Sequence, residues 1–297
     1  MKFNFFSILA VLLVLFVGVF YVLQTENQDG AMPSTIHVGV LPDESKQALQ
    51  ARFESLLSYL SAETGLEFRL IESSDYDELV DLFISDEVDL AYFGGYTFVQ
   101  ANALHGAIPL VMREIDTRFT SYFLAPANAP GQRLEDFRDK IFSFGNRLST
   151  SGHLMPRYFL QQDRHMVPEE FFSEVRFSGA HDKTAYLVRD GGVDLGVANS
   201  AIIRAMFKDG RLKEEDLRIV WETPPFPDYV WAAQSRLHEG VRTRIRDAFL
   251  RLEHDDDRES DVLDSLGARL FLPAAMSDFE ALQEVAQSMQ LLSPEIQ

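Results

Sequence analysis

No cysteine occurs among the 297 residues. That excludes a disulfide, a thiolate metal site and a cysteine nucleophile, and it suits an oxidising compartment without establishing one. Basic charge is scarce: 27 Lys plus Arg stand against 46 Asp plus Glu, for a formal net charge of -19. A field of that sign disfavours nucleic acid and anionic membrane surfaces as partners. It leaves room for a small anionic ligand, which responds to local donors inside a closed cleft. Signatures of catalysis are missing too. Ser149 and Ser151 lie in no G-x-S-x-G elbow, no His-Glu-x-x-His occurs, and the glycine pattern and Lys of a nucleotide phosphate loop are absent. His254-Asp255-Asp256-Asp257 has acids on every side and reads as a solvated charge run at a helix end. No cofactor and no metal are expected.

Hydrophobic residues make up 46% and charged residues 25% of the chain, the composition of a folded soluble protein. The length suffices for one large domain or two α/β lobes. One segment stands apart: residues 5–23 carry no charge. As a helix at about 1.5 Å per residue they span roughly 28 Å, close to a bilayer core of about 30 Å. Lys2 before the segment, and Glu26 and Asp29 in the polar linker after it, favour a cytoplasmic N-terminus. The segment stays bulky through Phe20-Tyr21-Val22-Leu23, and Ala31 is the first small cleavage-site candidate beyond it. An uncleaved single-span anchor is therefore expected over a cleaved signal peptide. Either way the remainder is expected to be periplasmic or otherwise extracytoplasmic, and tethered to the inner membrane if the segment is retained.

Beyond residue 30 the hydropathy pattern alternates. Strands are predicted over 36–41, 67–71 and 88–93. They are separated by a helix over 44–61 with Leu49, Phe53, Leu56, Leu57 and Leu60 inward, and by one capped at Asp75 with Leu79, Leu82 and Phe83 inward. A further helix follows Gly94-Gly95. After strands at 108–112 and 121–125, a second series starts at Leu134: a helix near Phe137, strand 141–144, helix 152–161, strand 175–177, helix 182–188, strand 193–198 and a helix through Ile203 and Met206. Strands 217–221 and 229–233 flank Pro224-Pro225-Phe226-Pro227, and helices 237–252 and 276–291 finish the chain. The fold class is α/β with two lobes and two crossings. Residues 1–30 are the leading segment, 31–120 plus 224–297 one lobe, and 121–223 the other.

Strand ends that meet helix starts are where such folds bind ligands. Ser149-Thr150-Ser151-Gly152 is the strongest local signal: successive hydroxyls join the unpaired N–H groups and partial positive charge of a helix start. Serine at such a place is also an ordinary cap, but three hydroxyls followed by glycine favour an anion. Gly94-Gly95-Tyr96-Thr97 has the same placement, with Tyr96 either a donor or a packed ring, and Asp75-Tyr76 repeats it more weakly. His181 offers a donor, with Asp182 as cap or orienting group, though a single histidine near a turn is commonly ordinary. Asn199 follows a strand and can supply neutral hydrogen bonds. Asp228, beyond the prolines, is either a turn acid or an acceptor for a cationic group or a hydrogenated oxyanion.

The ordered set Asp75-Tyr76, Gly94-Gly95-Tyr96, Ser149-Thr150-Ser151-Gly152, His181-Asp182, Gly192-Val193-Asp194 and Pro227-Asp228-Tyr229 resembles the phosphate/phosphite/phosphonate-binding proteins of ABC importers. The resemblance covers about residues 35 to 275. It implies a type II periplasmic-binding-protein fold that holds a small phosphorus oxyanion between lobes for delivery to a membrane permease, with no reaction of its own. It also implies that Ser149, Thr150 and Ser151 hold the phosphorus-bound oxygens, helped by Tyr96 and His181, with Tyr76 on the opposite wall. Relatives that take aminoalkylphosphonates carry an acid shortly after the Gly-x-Val-Asp strand. Here Ala198-Asn199-Ser200-Ala201 has none, and Asp228 is the remaining candidate to face an amine. Phosphate, phosphite or a small neutral-tailed phosphonate is the expected ligand. The anchor departs from the pattern of released or lipid-tethered relatives and leaves open a membrane-held sensor. An enzyme acting on a small phosphorylated or carboxylated substrate is the third reading.

Overall fold

The computed structural model of the protein describes residues 33–292, and the apolar segment 5–23 lies outside them. Among the described residues no helix is long and apolar enough to cross a membrane.

Strand β1 (Thr35–Val40) leads through residues 41–45 into helix α1 (Lys46–Thr64). Ser45 caps that helix by accepting the Ala48 N–H, and Leu49, Phe53, Leu56 and Leu60 bury one face at helical spacing. Gly65 ends it in the left-handed region, at φ 70°. Strand β2 (Glu67–Ile71), helix α2 (Tyr76–Ile84), strand β3 (Leu90–Phe93), helix α3 (Gly95–His105) and strand β4 (Ile108–Arg113) complete the first series. The chain then crosses to β5 (Ser121–Pro126), β6 (Ile141–Phe144), α4 (Met155–Gln162), α5 (Pro168–Phe171), β7 (Glu174–Phe177), α6 (His181–Arg189), β8 (Leu195–Asn199), α7 (Ser200–Lys208) and β9 (Leu217–Glu222). It returns to β10 (Val230–Ala233), followed by α8 (Glu239–Arg251), α9 (Asp257–Leu266), β11 (Phe271–Pro273) and α10 (Glu280–Ser288).

Two sheets result, ordered β11-β4-β10-β3-β1-β2 and β7-β6-β8-β5-β9. In the first, β1 pairs parallel with β2 and β3 while β10 enters antiparallel between β3 and β4; in the second, β6 pairs parallel with β7 and β8 while β5 runs antiparallel to β8 and β9. Central strands β3, β8 and β10 are buried at every position, as expected of strands with both faces covered. The parallel strands all end toward the space between the sheets, so their following turns face one another.

The two crossings touch. Phe119 and Phe226 exchange both backbone hydrogen bonds, and their rings are buried. Beside them lies a buried ion pair: Arg113 donates from Nε and Nη2 to Asp116 at 2.7 Å each and from Nη1 to the Leu266 carbonyl. Its guanidinium also lies 5.5 Å from the Tyr229 ring centre and 5.8 Å from that of Tyr92. The Asp116 carbonyl accepts the Asp228 N–H, which ties this pair to the second crossing. A column of rings runs from the core to the cleft: Phe249 meets Trp231 at 5.2 Å, Trp231 meets Tyr92 at 4.9 Å, and Tyr92 stacks on Tyr229 at 5.0 Å.

Three expectations change. The helix predicted from 152 begins as a wider π-type turn over Thr150–Leu154 before α4. The acidic run at 254–257 opens a helix: Asp256 caps α9 by accepting the Arg258 and Glu259 N–H groups, and α9 and β11 went unpredicted. The helix predicted over 276–291 is a single turn, Met276–Asp278, followed by α10.

Arg113→Ala leaves Asp116 buried without its counter-charge. The expected loss is about 3–5 kcal/mol of unfolding free energy, read from urea denaturation followed by circular dichroism. A loss below about 1 kcal/mol would contradict a structural role for the pair.

Candidate functional site

Turns from both sheets meet at the strand ends. Ser149 caps the turn after β6: its Oγ accepts the Gly152 N–H at 2.9 Å and lies 3.5 Å from His181 Nε2. Gly152 fits because no side chain stands there; a Cβ would lie 2.9 Å from Ser149 Oγ and 3.0 Å from His181 Cε1. Thr150 reaches across the cleft, where its Oγ1 accepts the Tyr96 N–H at 3.0 Å. The first N–H groups of the Thr150–Leu154 turn have no intrahelical acceptor, so this end of the helix presents donors and partial positive charge.

His181 begins α6. Its Nδ1 accepts the Asn199 N–H at 3.1 Å, which places the proton on Nε2, the nitrogen facing Ser149. Burial pushes its pKa down to about 4, so at neutral pH the ring is an uncharged donor. Asp228 is 1% exposed and has no cationic partner among the described residues. Its Oδ1 accepts the Gly95 N–H at 3.1 Å. Burial raises the carboxyl to about 7; the Gly95 N–H and the Thr150 and Ser151 hydroxyls oppose that shift, while Asp116 adds to it. Tyr76, fully buried at the start of α2 beside Ser149, is held well above the usual phenol range by burial and by the nearby Asp43 carboxylate, so it stays a donor.

Tyr76 Oη, Ser151 Oγ and Asp228 Oδ2 are buried and make no hydrogen bond of good geometry among the described residues. Each such atom costs on the order of 1–3 kcal/mol if left unpaired, and buried polar atoms are nearly always satisfied. Their convergence, with Ser149, Thr150 and His181, marks a place shaped for the polar atoms of a small ligand. The donors there are neutral, and burial raises the Asp228 carboxyl toward neutrality.

The sequence-predicted residues therefore meet, though two serve differently from their expected use. Tyr96 brings its backbone N–H, while its hydroxyl donates to the Leu291 carbonyl near the end of α10. Asn199 caps α7 through Oδ1 and donates from Nδ2 to Tyr229 Oη. Two residues outside the predicted set belong to the same region. Tyr229 donates to Asp43 Oδ2 at 2.8 Å, and Asp43 sits in the β1–α1 turn with its carboxylate buried. The strand-end position of that turn was readable; which of Pro42, Asp43 or Glu44 faces inward was not.

The Asp228 shift fixes a stability trend. An unfolded aspartate titrates near about 3.9, whereas the folded group titrates near 7. Between those values folding takes up a proton, so stability falls as pH rises from about 4 to about 7 and stays low above. Asp228→Asn removes the charged state. The variant is expected to melt above the wild type at pH 8, by roughly 2–4 °C per kcal/mol regained, with the difference shrinking toward pH 4. A variant that melts lower at pH 8 would reverse the assignment.

The family described as ABC transporter, phosphonate, periplasmic substrate-binding protein matches residues 38–279. The probable ABC transporter phosphite binding protein PhnD1 of Prochlorococcus marinus is 30% identical over 268 residues, covering 86% of this chain and 90% of that protein. The phosphate-import protein PhnD of Mycolicibacterium smegmatis is 30% identical over 240 residues, 76% of this chain and 74% of the relative. The structure of the Prochlorococcus protein in complex with methylphosphonate superposes with a TM-score of 0.81, covering 87% of this chain and 99% of that one. With the two-lobed α/β fold and this match over most of its length, the chain belongs to the phosphonate-type periplasmic substrate-binding proteins of ABC transporters.

Proposed function

We propose that the protein captures a small phosphorus oxyanion (phosphite, phosphate or methylphosphonate) between its lobes and delivers it to an ABC permease. It carries out no reaction of its own. The observation behind this reading is the convergence of neutral donors on one buried carboxyl, Asp228, whose Oδ2 is left without a partner among the described residues. Ser149, Thr150 and Ser151, His181 Nε2 and Tyr76 donate to the unprotonated oxygens. Asp228 shares one proton with the remaining oxygen, as acceptor from a P–O–H group or as donor when it holds the proton itself. Charge-assisted hydrogen bonds then replace the water lost on closure. A fully ionised tetrahedral anion such as sulfate brings no proton of its own and, once Asp228 is ionised above about pH 7, meets a carboxylate instead. Ala198–Ala201 carries no carboxylate, which supports a ligand without an amine. Residues 31–120 plus 224–297 move as one lobe and 121–223 as the other, about the paired crossings at Phe119 and Phe226. The apolar segment 5–23 tethers the protein beside its permease in the cytoplasmic membrane.

Calorimetric titration of the full chain in detergent is expected to show binding to at least one of the three phosphorus ligands, and far weaker binding of sulfate. Ser149→Ala combined with Thr150→Ala removes two bonds to charged oxygens, worth about 1.5–3 kcal/mol each, for a loss of at least roughly a hundredfold in affinity. Intact affinity in the double variant would show that the ligand sits elsewhere.

The shared proton makes binding pH-dependent. Above both the Asp228 value of about 7 and the ligand's last ionisation, affinity falls by up to about tenfold per pH unit. Asp228→Asn supplies a fixed donor and flattens that slope. A slope unchanged in the variant would remove Asp228 from the proton count.

A further inference from the structure

Four hydrogen-bonded links join the β1–α1 turn, Leu41–Ser45, to the opposite lobe, and two of them, Ser45 with Asp182 and Glu44 with Arg211, use no residue of the oxyanion site. The His181 N–H donates to the Asp43 carbonyl at 3.0 Å. Asp182 Oδ2 accepts the Ser45 N–H at 3.1 Å. Arg211 Nη1 donates to Glu44 Oε1 at 2.7 Å. Asn199 Nδ2 donates to Tyr229 Oη, which itself donates to Asp43 Oδ2. The turn thus separates two interlobe clefts: one of about 580 Å³ lined by Pro42, Glu44, Ser45 and Lys183, and one of about 510 Å³ lined by Asp43, Asn199 and Tyr229.

Both partners of each polar pair are prepared within their own lobe. Glu44, with a side chain only 2% exposed, is also bound by Arg52 of its own lobe. Arg211 is held by Asp209, with Nε 2.8 Å and Nη2 2.7 Å from Oδ2. Asp182 is fixed by accepting the Lys183 N–H at 2.7 Å. Side chains already positioned lose little freedom when the lobes meet. The Asp182 contact also completes a helix start. A capping box would place a Glu or Gln at the third helical position to satisfy the cap residue's own N–H. Here that position is Ala48, and the first turn of α1 has no acid. Asp182 supplies both the acceptor and the negative charge from the other lobe.

We infer that Glu44 and Ser45 form a latch with Arg211 and Asp182 that holds the lobes together independently of ligand contacts. It sets how tightly any ligand is retained without choosing among ligands. These four are positioning residues, and the inference rests on the oxyanion-binding function proposed above. A latch of this kind adds the same closing free energy for every ligand, so its loss raises all dissociation rates alike.

Stopped-flow dissociation of methylphosphonate and of phosphite, with small-angle X-ray scattering of the ligand-free chain in detergent, tests the latch. Arg211→Ala is expected to release both ligands about tenfold faster, leaving the ratio of their affinities unchanged. Arg211→Glu, which sets two carboxylates face to face, should exceed that effect, and Arg211→Lys should restore part of it. Asp182→Asn probes the second contact independently, and carries the test should an Arg211 variant fail to fold. Unchanged release in both single variants, or a changed ratio between ligands, would overturn the latch. If the wild type binds none of methylphosphonate, phosphite and phosphate, the oxyanion reading fails, and scattering decides the latch alone: a larger radius of gyration in the variants supports it, and an equal one refutes it.

Discussion

Burying a carboxylate without a cation is unfavourable unless hydrogen-bond donors surround it, and the interlobe site is arranged around that constraint. Asp228 stands on the second crossing, where its N–H is fixed by the Asp116 carbonyl and its Oδ1 by Gly95. Because Gly95 starts α3, the acid also draws the β3 strand end into the cleft. Thr150 binds the next N–H along, that of Tyr96, and so brings the hydroxyl turn of the other lobe to the same place. His181, kept neutral by burial, faces Ser149 from the adjoining strand end. Among the described residues no lysine or arginine pairs with Asp228, so these donors stand in for a counter-charge.

How much was legible in the sequence follows from which features are local. Strand-helix alternation, the Asp75 cap and the apolar stripe of α1 depend on near neighbours, and they appear where the pattern places them. The Ser149-Thr150-Ser151 turn and His181 were readable for the same reason. What could not be read depends on partners distant in the chain. Tyr96 looks like a ligand donor until α10 brings the Leu291 carbonyl to its hydroxyl. Asp256 looks like one of several solvated acids until it caps α9, whose apolar residues Val262, Leu263 and Leu266 are too few for a clear period. Asp43 carries no local mark of its own; the hydroxyl that donates to it is that of Tyr229, 186 residues further on.

Closure and folding share the same connections. The crossings pair at Phe119 and Phe226, and one face of that junction is packed by Phe159 of α4, which follows the hydroxyl turn. Leu154, Met155 and Phe159 bury themselves against the core of the first sheet although they follow β6 of the second. The helix that follows the Ser149–Ser151 hydroxyls is thus seated, along its flank, in the opposite lobe.

The ring column from Phe249 through Trp231 and Tyr92 to Tyr229 ends at the cleft wall. Close-packed interiors transmit small displacements instead of absorbing them. Remodelling the hydrophobic interior near Trp231 would therefore reach the phenol that bridges Asn199 and Asp43. In this molecule the interior of one lobe doubles as the backing of its binding wall, so sequence drift there is constrained by ligand capture as well as by packing.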